Sequence, residues 1–229
     1  MAMLAPIPRG EEEGRLRMLW NELIGSFCYN GEEAPEYSKF WIDRIVEQYT
    51  HPDRHYHTIT HLLDALRHAW QIAGYQKDIR LVELGIFFHD FIYDPRRSDN
   101  EECSAEVAWK ALSEMDFTDR VISPVRRYIE VTKTHKPMSW EEAVICDADT
   151  AILASSSETY WEYAEGVELE YFHLTEDEWL AGRSDWVSKM LEREELYNTE
   201  VMYQKTPMAK ENLKRELDYL AVRMSRANV

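Results

Sequence analysis

From residue 15 to 27 the apolar side chains Leu16, Leu19, Trp20, Leu23, Ile24 and Phe27 recur at three- and four-residue intervals. That spacing lines one face of an α-helix. The turn-rich string CYNGEEAPEYSK ends the run. A second helix is expected over 37–49, with Phe40, Trp41, Ile45 and Val46 on its apolar side, and a third over 59–73, after the loop HPDRHYHT. Residues 81–93, LVELGIFFHDFIY, are apolar nearly all round, the mark of a buried central helix. Asp94-Pro95 is expected to stop it, because the residue before proline is driven out of helical space. NEECSAEVAWKAL, the stretch around 121–131, EEAVICDADTAIL and the segments beyond Ser156 repeat the helical period. Period-two alternation is not evident. The pattern therefore predicts an all-α protein, with residues 1–13 a flexible tail and 14–229 a single helical-bundle domain.

The central helix carries His89 and Asp90 among Phe87, Phe88, Phe91 and Ile92. An ionised carboxylate in such surroundings is costly unless it is paired or holds a metal. A hydrogen-bonded His–Asp pair without metal is an equal reading of these two residues alone. In RHYHTITHLL, His57 and His61 are four apart and can share a helix face. His68, further along that helix, is expected on its surface. In AVICDADTAIL, Asp147 and Asp149 would point about 200° apart on a helix, so one ion cannot take both. Positions three and four from Asp149 are Ile145, Cys146, Ile152 and Leu153, which makes Asp149 the buried carboxylate. Asp147 is expected at the surface or in a supporting role.

Composition changes this picture in two ways. The 229 residues are 45% hydrophobic and 30% charged, which excludes wholesale disorder. No apolar run approaches the ~20 residues of a membrane span, and the N-terminal residues lack a secretory pattern. Three widely spaced cysteines, with no CxxC, fit a cytoplasmic location. The net charge of −17 opposes broad contact with nucleic acid or an anionic membrane. It also makes a phosphate substrate awkward unless a local positive charge, such as a metal ion, offsets it.

Taken in order, His61, His89-Asp90 and Asp149 resemble the H…HD…D pattern of the HD superfamily of metal-dependent phosphohydrolases. YHTITH, HDFIYDPRRSDNE and DADTAIL are similar to a bacterial subgroup of predicted HD phosphohydrolases, over about residues 20–220. The resemblance implies an HD-type bundle whose metal ligands are His61, His89, Asp90 and Asp149. The ion would be divalent: manganese, nickel, cobalt, magnesium or iron. The implied reaction is hydrolysis of a phosphomonoester or phosphoanhydride, in a small nucleotide-like substrate, by a metal-activated water. The YHT-then-His element also resembles that of the cyclic-nucleotide phosphodiesterases, which implies His57 as general acid. Glu101 would bond the reacting water or a ligand histidine. Arg96, Arg97, His135, Arg183 and Lys210 are the phosphate-binding candidates, guanidinium groups matching phosphate in a fork. Glu168 and Lys210 stand where arginine is expected in the subgroup. Two other readings remain open at this point: a non-catalytic metal- or nucleotide-binding sensor, and a di-iron oxygenase, for which only His135 is a spare histidine. The aromatics Tyr160, Trp161, Tyr163, Tyr171, Phe172, Trp179 and Trp186 read as core and helix contacts.

Overall fold

The computed structural model describes residues 10–28, 35–74 and 77–227. Over these residues the chain is all-α, with eleven helices and no strand. In order they are α1 (Glu12–Gly25), α2 (Tyr37–Tyr49), α3 (Ile59–Ala73), α4 (Arg80–Phe88), α5 (Asn100–Glu114), α6 (Asp119–Val131), α7 (Trp140–Asp149), α8 (Ser157–Glu170), α9 (Glu176–Glu192), α10 (Glu200–Tyr203) and α11 (Thr206–Ala227). A 3₁₀ turn over Thr150–Ala154 joins α7 to α8. The expected tail falls mostly in residues 1–9, outside the described residues. The first helix starts at Glu12, ahead of its apolar periodicity, where the carboxylates of Glu12 and Glu13 suit the positive end of the helix. No described helix is long and apolar enough to cross a membrane.

The periodic apolar residues become the core. Leu16, Leu19, Trp20, Leu23 and Ile24 of α1 are buried, as are Trp41, Ile45 and Val46 of α2. Phe40, expected beside them, is exposed, and so is Phe172. Three helices decide where the chemistry goes. α3, α4 and α7 each pack against the other two. Gly85 permits the close approach of α4: a Cβ there would meet Ile145 Cδ1 of α7 at 3.1 Å and Tyr128 Cβ of α6 at 3.3 Å.

The central helix is shorter than its apolar run. It ends at Phe88 with His89 as its cap, and the expected stop at Asp94 is not reached. The reason lies in the hydrogen bonds. His89 Nδ1 donates to the Ile86 carbonyl at 2.8 Å, taking the acceptor that the Asp90 N–H would use in a continued helix. The Asp90 N–H turns to Tyr49 Oη at 3.2 Å, and the Ile92 N–H to Ser104 Oγ at 3.0 Å. Hydroxyls from α2 and α5 thus unwind the segment.

Asp147 also departs from expectation, being fully buried. It accepts from Asn198 N and Nδ2, both at 2.8 Å, and from Thr199 N and Oγ1, both at 2.7 Å. One carboxylate therefore ties α7 to the entry of α10. Asp147→Ala should lower stability by about 3 kcal/mol, because four donors lose a charged acceptor in the interior. Urea unfolding measures this; an unchanged midpoint would show that the tie contributes nothing.

Candidate metal centre

The mutual packing of α3, α4 and α7 brings His61, His89, Asp90 and Asp149 to one point. His61 lies in the first turn of α3, His89 caps α4, Asp90 follows it, and Asp149 ends α7. One ligand atom from each lies within 4.8 Å of the others, the only such group of metal-binding side chains among the described residues. His61 Nε2 is 3.1 Å from His89 Nε2, 3.5 Å from Asp90 Oδ2 and 3.4 Å from Asp149 Oδ1. His89 Nε2 is 3.1 Å from Asp90 Oδ2 and 3.5 Å from Asp149 Oδ1. Donors held about 2.1 Å from a single ion are separated by roughly 3.0–3.4 Å in octahedral or tetrahedral coordination, so the spacing fits.

The tautomers fit too. The Ile86 carbonyl can only accept, so His89 carries a proton on Nδ1 and turns Nε2 into the centre. His61 Nδ1 is held 3.2 Å from Tyr56 Oη, which leaves its Nε2 facing the same way. Two imidazole nitrogens and two carboxylates so arranged demand positive charge. Burial would push His89 down, but Asp90 and Asp149 outweigh it and hold the imidazole well above its ordinary range. Burial would push Asp90 up, but His89 and His61 hold it well below the usual carboxylate range. Asp149 is held low against burial by His135, His61 and His89. A divalent cation can take the place of the protons these groups retain, and the mixed imidazole–carboxylate set suits several such ions.

Beside the centre stands a residue that the sequence reading missed. Glu170, at the end of α8, is 1% exposed. Its Oε1 accepts the N–H groups of His55, Tyr56 and His57 at 2.8, 2.8 and 2.9 Å. Its Oε2 takes His57 Nδ1 at 2.7 Å and the Tyr93 hydroxyl at 3.0 Å. Burial would raise this carboxyl, but His57 and the backbone donors hold it down at about 2. The His57 ring stacks on Tyr93, with centroids 4.0 Å apart, and its centroid is 5.5 Å from that of His61. Gly166 lets the loop sit so close: a Cβ would come within 3.2 Å of the His55 carbonyl oxygen and of Tyr56 Cβ. The available signal was the stripe Tyr163, Gly166, Val167, Glu170, which carries a carboxylate on a buried face.

Arg54 was missed as well. It is buried, donates to the His57 carbonyl at 3.2 Å and to the Phe91 carbonyl at 3.0 Å, and lies over the rings of Tyr49 and Tyr93. It clamps the His57 loop to the turn after His89.

The remaining candidates are dispersed. His135, at φ 50°, brings Nε2 to 3.1 Å from Asp149 Oδ2, so it meets the centre through that carboxylate. Glu101, in the first turn of α5, is partly buried; burial and then the nearby charge of Asp90 raise its carboxyl. Arg96 is exposed over the Phe172 ring, and Arg97 is exposed and bonded to Asp99 and Cys103. Lys210 donates to the Glu194 carbonyl at 3.2 Å. Arg183 is a correction: it is buried, paired with Glu216 at 2.8 Å and bonded to Tyr163 Oη, so its guanidinium is committed to the core. His68 is half-buried, where a surface position was expected, because it faces a cleft of about 750 Å³ that also reaches His61 and Asp149.

Adding manganese to the metal-free protein at neutral pH should release protons, because the His89 imidazole, held well above its ordinary range, gives up its proton when the ion binds. Affinity should fall as the pH is lowered and protons compete. Calorimetry in buffers of different ionisation enthalpy measures the release; a heat independent of buffer would contradict this charge assignment.

A scan against protein-family models matches none, and a search of curated proteins finds no match.

Proposed function

We propose that this chain is a metal-dependent phosphohydrolase of the HD kind, acting on a phosphomonoester or phosphoanhydride of a small nucleotide-like molecule. The observation that carries the reading is the adjacency of two devices: the four-ligand centre, and His57 held by a buried carboxylate beside it. When bound, a divalent ion supplies a Lewis acid that makes water acidic and neutralises charge on phosphoryl oxygens.

The residues of the chain supply the rest. With Nδ1 bonded to Glu170, His57 can hold a proton on Nε2 and give it to the departing oxygen. Glu170 fixes the ring's orientation through Nδ1, and its bonds to three successive N–H groups fix the loop that carries the ring. Tyr93 stacks on one face of His57 and Arg54 anchors its carbonyl, so the ring has little freedom to turn away. Arg96 and Arg97, exposed after the His89 turn, are free to meet phosphate only if they exchange their present partners. The net charge of −17 makes the centre the natural place for an anion only when it is loaded.

Two variants test this reading with the metal supplied. Asp90→Ala should lose both metal and phosphate release from a panel of nucleotides and small phosphoesters. His57→Asn should keep its metal yet lose about 10²-fold or more in kcat on alkyl phosphates, whose leaving oxygen needs a proton. Its loss on 4-nitrophenyl phosphate should be much smaller, since that group departs without one. An equal loss on both substrates would remove His57 from the role of acid. Stoichiometric metal with no release from any compound would favour a sensor.

A further inference from the structure

The cleft that reaches His61 and Asp149 runs on along α3, where His61, Asp64, Ala65 and His68 share the face that lines it. His68 is seven positions beyond His61, about 10 Å along the axis at the usual rise. At that far end the wall also holds Arg67 and, from the junction of α10 and α11, Lys205.

The charges there do not cancel. Those that bear on the His68 ring are Arg67, Asp64 and Lys205, two cations and one anion. Burial, and then Arg67, hold the His68 imidazole down at about 4, so it is neutral at working pH and adds no charge. Asp64 is taken by Arg67, which donates to it from Nε at 3.2 Å and Nη2 at 2.6 Å. Lys205 has no carboxylate partner among the described residues, although it is half-buried in a chain with 43 acidic residues against 26 basic ones. Two further acids stand on the wall, Glu12, which accepts the Gly10 N–H at 2.6 Å, and Glu162 of α8, neither of them among the charges that bear on the His68 ring. Lys205 also directly precedes α11, whose first turn adds the partial positive charge of a helix start. The wall also carries hydroxyls, including Thr58, Ser155 and Thr159.

We propose that the cleft takes a substrate with two anionic groups about 10 Å apart, one at the metal centre and the other between Lys205 and Arg67. The second group confers specificity and does not react. Lys205 faces it as the unpaired cation and Arg67 as the fork already steadied by Asp64. The hydroxyls of the wall suit a sugar-like or polyol connector. This inference rests on the phosphohydrolase reading for the placement of the first phosphate.

A chemical ruler separates the two ideas. With manganese present, the full-length protein is titrated with pentyl phosphate, 1,2-ethanediol bisphosphate and 1,5-pentanediol bisphosphate, and binding is followed by calorimetry. The five-carbon bisphosphate should bind about tenfold or more tightly than the other two, the scale of one added charge-assisted contact. Lys205→Gln should reduce its affinity to that of pentyl phosphate, and Lys205→Arg should restore most of it, with the bound metal unchanged in both. Equal binding of all three compounds by the wild type, or a preference that survives Lys205→Gln, would overturn the second anion position. Intact discrimination in a protein that releases no phosphate from any substrate would support the position and refute hydrolysis, so the two failures are distinguishable.

Discussion

Two imidazole nitrogens and two carboxylates converge within the reach of one ion, at the meeting point of α3, α4 and α7. Such a group, carried next in sequence to the buried Phe87, Phe88 and Phe91, is expensive to bury unless positive charge sits among the donors. Much of the local structure follows from this demand. α4 gives up its last turn so that His89 can bond the Ile86 carbonyl and direct its other nitrogen inward. Tyr49 and Ser104 satisfy the backbone that the broken helix leaves behind. Gly85 lets α4 lie close enough to α7 for His89 and Asp149 to meet.

The His57 assembly obeys a second constraint of the same kind. Glu170 is a buried charge whose cost is offset by five donors, three of them successive backbone N–H groups. That geometry needs the loop pressed against α8, which the absent side chain of Gly166 permits. Rigidity follows directly. A ring fixed through Nδ1, stacked on Tyr93 and anchored by Arg54 is preorganised beside the candidate metal centre.

How much of this the sequence carried depends on the range of the interactions. The helices were legible because apolar periodicity is local, and α2 and α3 fall where the pattern puts them. His89, Asp90 and Asp149 were legible from their apolar neighbourhoods, Asp149 among Ile145, Cys146 and Leu153 being the plainest case, and His61 from its place in the H…HD…D resemblance. Glu170 was not, since its partner His57 lies 113 residues away and nothing adjacent announces it. Arg183 and Asp147 misled for the same reason: charged residues are usually exposed, and their buried partners Glu216 and Thr199 are 33 and 52 residues distant. The early end of α4 was hidden because the hydroxyls that cause it come from α2 and α5.

The central claim is that one divalent ion is held by His61, His89, Asp90 and Asp149. X-ray absorption of the protein loaded with a single equivalent of manganese or cobalt tests it most directly. The expected spectrum has a first shell of nitrogen and oxygen at about 2.0–2.2 Å, with the multiple-scattering signature of two imidazoles. That signature should fall to one imidazole in His89→Ala. A first shell of oxygen alone, or a spectrum unchanged by His89→Ala, would place the ion elsewhere and contradict the claim.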